Sequence, residues 1–454
     1  MRATDGRAGQ GAVAFPAFGE FFRTFARIGV LSFGGPAGQI ALMHRVLVEE
    51  KRWISEERFL HALNFCMLLP GPEAQQLAAY CGWLMFGARG GIVAGTLFVL
   101  PGFVVILALS AFYALTQNAQ LTTGLFFGLK CAVLAIVADA LVRVGQRALR
   151  NGFMVALAAI AFVALFLFDA PFPLVVLIAG LVGFFVARAR PDLFAGAGHG
   201  ATPTDGPFLQ LPAPETAPGF AYAARTMAVW GALWIAPVAL LALVFGRDSV
   251  FMPIAAFFSK MAVVTFGGAY AVLSYVAQQA VEDLGWLKPG EMLDGLAMAE
   301  TTPGPLILVL TYVGFLAAFR APPDISPLAS GVIGAALTTW VTFVPCFLWI
   351  FLGAPHVEKL RANRALSGAL AAISAAVVGV IANLALWFAL HVFFARTNVV
   401  EWGPLRATVP DIAAFDPRAA ALAALAAYAL FRLKLGIVPV LTLAGAIGVA
   451  LRMI

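Results

Sequence analysis

Charge is what this sequence has least of. Asp, Glu, Lys and Arg make up 11% of its 454 residues, while 62% are hydrophobic and the mean hydropathy is +0.92. Soluble domains carry about 25% charged residues, so a water-soluble fold is excluded. Cysteine is sparse too. Cys66, Cys81, Cys131 and Cys346 lie in apolar segments without C-x-x-C spacing, which removes a disulfide framework and a zinc site. No Gly-Lys pair occurs, so the phosphate-binding loop G-x-x-x-x-G-K-[ST] is missing and ATP is not hydrolysed through one. No nucleophile paired with a base and no metal-ligand cluster is visible, so no catalytic residue, metal or cofactor is expected. The cations behind the net charge of +6 are scattered between apolar runs. Loops on the cytoplasmic side of a membrane look like that; a nucleic-acid surface does not. The first twenty residues lack the short apolar core of a signal peptide and read as a cytoplasmic tail, 1–20.

What is present is a series of apolar runs. Residues 91–116, 226–246, 325–355 and 365–390 contain no charged side chain, and 151–168 and 170–187 are similar but shorter. About 20 apolar residues span the roughly 30 Å hydrocarbon layer. The expected fold class is therefore an all-α polytopic membrane protein.

An internal repeat gives more. Shifting the chain by 233 positions places Phe33-Gly34-Gly35 on Phe266-Gly267-Gly268, Glu49 on Glu282, Trp53 on Trp286 and Pro70-Gly71-Pro72 on Pro303-Gly304-Pro305. With Val48/Val281, Leu60/Leu293 and Leu63/Leu296, eleven of forty positions match without a gap. Shared apolar composition would match Leu and Ala, not Gly, Pro and Trp in register. Duplicated halves are common in secondary transporters. The expected organisation is the tail 1–20, a first repeat 21–189, a Pro- and Gly-rich linker 190–225, an extra span 226–249 and a second repeat 250–454.

The extra span predicts inverted halves. Segment 45–58 holds Arg45, Lys51, Arg52 and Arg58, whereas the matching 278–291 holds only Lys288. The positive-inside rule puts the first inside and the second outside. Arg143, Arg147 and Arg150 mark another inside loop, as do Lys359, Arg361 and Arg364. Parity then makes the F-G-G segment (18–47) and the P-G-P segment (59–87) re-entrant, giving nine crossings and four broken hairpins. Twelve or thirteen plain spans is the alternative.

Proline inside a helix removes a donor and clashes with the preceding turn, so Pro70-Gly71-Pro72 breaks a helix at membrane depth. Such breaks persist only where protein or water satisfies the freed groups. A half-helix restarting after a break directs free N–H groups and a positive dipole end into the cavity, which suits an anion. Gly34, Gly35, Gly71, Gly267, Gly268 and Gly304 are the expected binding positions; packing glycines and proline kinks are the plainer explanation. Arg27 and Lys260 each lie seven residues before a break, about two helical turns, and match at the same offset. Either they hold the substrate or they snorkel to the two surfaces. Lys130 has no twin, and Asp139 is its expected partner. Glu73 and Glu300 flank the P-G-P breaks and are candidates for proton coupling, with helix capping the alternative for Glu73.

These motifs resemble the chromate ion transporter family in its long, duplicated form: F-G-G-P from Phe33 to Pro36, E-E-K-R-W from Glu49 to Trp53 and L-P-G-P from Leu69 to Pro72. The weaker copies are F-G-G-A-Y (Phe266 to Tyr270) and T-P-G-P (Thr302 to Pro305). The resemblance implies a multi-pass inner-membrane protein that exports chromate and confers resistance, not an enzyme. Sulfate or molybdate is the alternative cargo, and a membrane enzyme or scaffold the remote one. The bilayer is the other expected partner, nucleic acid is not, and a homodimer is left open. The Ala269-Tyr270 departure from Gly-Pro implies unequal halves.

Overall fold

The computed structural model describes residues 15–117, 119–194, 219–266, 269–288, 290–356, 364–403 and 405–453. These form sixteen α-helices, short 3₁₀ and π turns and one small hairpin. Among the described residues, six helices are long and apolar enough to cross a membrane. This makes the chain an all-α, multi-pass membrane protein.

The first repeat runs α1 (Phe18–Leu31), α2 (Gly35–His44), α3 (Glu56–Cys66), α4 (Glu73–Thr116), α5 (Gln120–Ala148), α6 (Gly152–Phe168) and α7 (Phe172–Ala189). α4 is two limbs. Phe86 and Gly87 leave helical geometry, and a Cβ on Gly82 would sit 2.4 Å from the Gly90 carbonyl oxygen. Residues eight apart in a straight helix are about 12 Å apart along the axis, so the chain doubles back here. The turn falls where the P-G-P segment was expected to end. α8 (Phe220–Phe245) follows, beginning inside the stretch read as linker. Residues 195–218 lie outside the described residues. Within α8 only Thr226 is buried, as suits a helix facing lipid.

The second repeat runs α9 (Phe251–Val264), α10 (Ala269–Gln278), α11 (Glu291–Thr301), α12 (Val309–Arg320), α13 (Pro327–Gly353), α14 (Arg364–Phe393), α15 (Pro417–Phe431) and α16 (Ile437–Met453). Local structure recurs at the offset found in the sequence. A π turn follows α2 at Arg45–Glu50 and another follows α10 at Gln279–Asp283. Lys51 N–H donates to Val46 O and Ile54 N–H to Leu47 O; Leu284 N–H donates to Gln279 O and Leu287 N–H to Ala280 O.

One element was not foreseen. β1 (Thr397–Trp402) and β2 (Leu405–Pro410) pair antiparallel around Gly403, whose φ is +62°. The stretch is rich in Val and Thr, which favour strands, and Arg406 reaches Asp169 at the end of α6 at 3.1 Å.

The helices meet through small residues. A Cβ on Gly128 of α5 would lie 1.9 Å from Ala444 O of α16, and one on Gly448 would lie 2.4 Å from Gly124 O. Such glycine pairs let backbones touch, the main source of helix association in lipid. The two cores interlock: Phe347, Ile350 and Phe351 from α13 pack with Phe65, Tyr80 and Phe98 of the first repeat.

Candidate functional site

Four interruptions frame the candidate site. α1 stops at Leu31 and α2 starts at Gly35, with Gly34 at φ +85° and Gly35 at φ +70°. α3 stops at Cys66, and α4 starts after Gly71 at φ +123°. α9 stops at Val264 and α10 starts at Ala269; Gly267 and Gly268, expected at this break, lie outside the described residues. α11 stops at Thr301, Gly304 has φ +91°, and a 3₁₀ turn at Leu306–Leu308 leads into α12. These φ values belong to a region that glycine enters without steric cost.

The breaks are tied crosswise. Gly304 N–H donates to Ser32 O at 2.8 Å, and Gly71 N–H donates to Thr265 O at 2.8 Å. Gly71 and Gly304 are one repeat apart, and so are Ser32 and Thr265. Each P-G-P break therefore grips the residue before the other repeat's F-G-G break. The hydroxyls behave alike: Ser32 Oγ donates to Ile28 O and Thr265 Oγ1 to Met261 O, each at 2.6 Å. Gln39 Nε2 adds a bond to Gly304 O at 2.6 Å, and Gln76 Nε2 one to Pro70 O at 2.7 Å.

The Gly71 and Gly304 amides are thus already engaged by protein carbonyls. What remains at the half-helix starts lies further along: the first amides of α2 and α4 have no side-chain cap. Gln75, in the first turn of α4, is buried, and neither its amide nitrogen nor its oxygen has a hydrogen-bond partner among the described residues. Space differs from break to break. Nothing lies within 4 Å of a Cβ built on Gly34 or Gly35, whereas one on Gly71 would be 2.9 Å from Cys346 Sγ and from Gln76 Nε2. Gly102 of α4 presses on the fourth break, where a Cβ would be 2.1 Å from Pro303 O.

The charged candidates are engaged in other ways. Arg27 is 60% exposed and 3.8 Å from Glu50. Lys260 is exposed, donates to Tyr275 Oη at 3.3 Å and lies over that ring. Glu73 opens α4 and is half-buried. Glu300 is 2% exposed and accepts a 2.5 Å bond from Tyr270 Oη. At the repeat offset that tyrosine stands where the first repeat has Ala37, so the departure of the second motif supplies a phenol to its own carboxylate. Lys130 does not pair with Asp139, the partner expected from the sequence. It reaches Asp294 at 3.2 Å, and Asp139 takes Arg143 at 2.7 Å, one turn along α5. A neighbour at i+4 on the same helix is always within reach, whereas Asp294 is brought to Lys130 only by tertiary packing.

Sequence reasoning passed over Ser32, Thr265, Gln39, Gln75 and Gln76. A signal existed: three Gln side chains close to helix breaks in an apolar chain, and hydroxyl residues matched at the repeat offset.

Residues 19–184 and 252–449 match the family model described as chromate transporter. The chain belongs to the chromate transporter family. The two matched stretches lie on either side of α8. A chromate transport protein of Pseudomonas aeruginosa is 33% identical over 365 residues, covering 80% of this chain and 79% of that one. A probable chromate transport protein of Synechococcus elongatus is 27% identical, covering 79% and 81%. A chromate transport protein of Cupriavidus metallidurans is 28% identical, covering 79% of each. No solved structure is a significant match. Members of this family are transporters, and the chain is not an enzyme.

Proposed function

We propose that this chain moves chromate across the bacterial inner membrane by secondary transport, outward, and so confers chromate resistance. The observation that carries the site is the reciprocal pair of bonds, Gly71 to Thr265 and Gly304 to Ser32, which draws breaks from both repeats to one place. The anion binds there, on the free amides that open α2 and α4 and on Gln75. Gly34, Gly35, Gly71, Gly304 and, in the second F-G-G motif, Gly267 and Gly268 give the backbone the turns that aim those donors. Arg27 and Lys260, two turns before their breaks and not buried, attract the dianion toward the site. Outward movement needs no further energy source: with the interior negative, each charge gains about 2.3 kcal/mol per 100 mV, and chromate carries two. The names of the relatives favour chromate over sulfate or molybdate, which a cradle of backbone dipoles does not separate. The halves are inverted, the N-terminus is cytoplasmic, and the breaks are re-entrant.

The test is uptake of labelled chromate and sulfate into inverted vesicles. Chromate should accumulate above vesicles lacking the protein. Sulfate accumulation without chromate would transfer the reading to another oxyanion, and neither would end it.

A further inference from the structure

A buried polar cluster lies outside the breaks. Asp294, on α11, is 2% exposed. Its Oδ2 accepts from Tyr113 Oη of α4 at 2.9 Å and faces Lys130 Nζ of α5 at 3.2 Å. Its Oδ1 is buried with no hydrogen-bond partner among the described residues. Tyr312 of α12, fully buried, sits edge-on to Tyr113 with ring centroids 5.5 Å apart.

The neighbouring charges are already committed. Glu291, one turn earlier on α11, holds Arg320 of α12 through two bonds of 2.7 and 2.8 Å and also accepts from Lys288 N–H. α16 packs on both α5 and α11, and its one charged residue, Arg452, lies over Phe127. Asp416, at the start of α15, caps the amides of Arg418 and Ala419. Asp294 is therefore the one carboxylate of the group with a bare, buried oxygen. A buried acceptor left unmet is costly to the fold, and an ionisable side chain inside a membrane bundle points to a function. Lys130, 28% exposed, links the carboxylate to water.

We propose that Asp294 and Lys130 form a proton-binding site that couples anion movement to proton movement in the opposite direction, an inference that rests on the transport reading above. Water delivers H⁺ to Oδ1, converting carboxylate to carboxylic acid; no other bond is made or broken. Neutral Asp294 releases the Lys130 ammonium toward solvent and loosens α11 from α5. Thr302, where the fourth break begins, is eight residues further along, about 12 Å on the helix axis. A shift of α11 therefore reaches the Gly304–Ser32 tie directly. Glu73 and Glu300 belong to the breaks themselves; Glu300 Oε2 is likewise buried without a hydrogen-bond partner among the described residues, while Tyr270 holds its Oε1.

The experiment uses purified full-length protein in liposomes containing a pH dye, with a chromate gradient. Wild type should move protons against chromate. Asp294→Asn should carry chromate with no proton signal, Lys130→Met should weaken the signal at least tenfold, and the exposed control Glu57→Gln should keep it. Chromate flux without proton movement in wild type, or an unchanged proton signal in Asp294→Asn, overturns the proposal and leaves chromate transport standing. Should wild type carry no chromate, infrared difference spectra between acid and alkaline pH still decide. A carboxylic-acid carbonyl band present in wild type and missing from Asp294→Asn supports proton binding, and identical bands refute it. Lys130→Met covers the case in which Asp294→Asn does not fold.

Discussion

Gln75 is costly to the fold, and in the proposed site it is a donor offered to the cargo. Both polar atoms of its amide are buried without partners among the described residues, at the start of an uncapped half-helix. Replacing it with Leu removes two unsatisfied groups at nearly constant volume, so the empty protein should become more stable by about 1–3 kcal/mol. Transport should fall at the same time. A thermal melt in detergent and a chromate flux assay on one preparation check both. Gly34 makes a complementary case: its φ of +85° is strained for any side chain, yet a Cβ there meets open space. Gly34→Ala should cost about 1–2 kcal/mol, the left-handed backbone penalty alone. A larger loss of transport than of stability would mark that open space as the anion's.

At the scale of elements, the cross-ties and the glycine seams hold the broken helices in place. Gly128→Val should detach α16 from α5, because even a methyl would lie 1.9 Å from Ala444 O. Overpacking of this kind commonly costs about 1–3 kcal/mol, and a fall in detergent melting temperature with little folded protein recovered is the expected result. Gly152→Ala, with nothing within 4 Å, is the matched control. Much of this layer is legible in sequence. Gly and Pro in register at offset 233 mark the breaks, because only those residue types both leave a helix and recur in place. The hydrogen bond from Gly71 to Thr265 is not legible, because it joins backbone atoms that any residues possess. Lys130 misled for a related reason: Asp139 is an acid on its own helix, but nine residues turn it to the opposite face, and only the approach of α11 supplies Asp294. The β1–β2 hairpin was hidden by its setting, a short polar stretch between two long apolar runs.

For the whole molecule, the prediction concerns orientation. All four native cysteines are buried, so introduced ones can be labelled against a quiet background. Glu57 and Lys288 are exposed and lie in the two segments with unequal positive charge. Glu57→Cys should react with an impermeant thiol reagent only from the cytoplasm and Lys288→Cys only from outside. Reaction of both from one face would end the inverted arrangement. The central claim is that chromate binds where the four breaks meet, and Gly71 is its most exposed point. That glycine ties the repeats through Thr265 and has φ +123°, and a Cβ there would collide with Cys346 and Gln76. The most direct measurement is labelled chromate flux into liposomes holding equal amounts of folded wild-type and Gly71→Ala protein. The account predicts flux in the wild type and at least a tenfold loss in the variant; equal flux through both would contradict it.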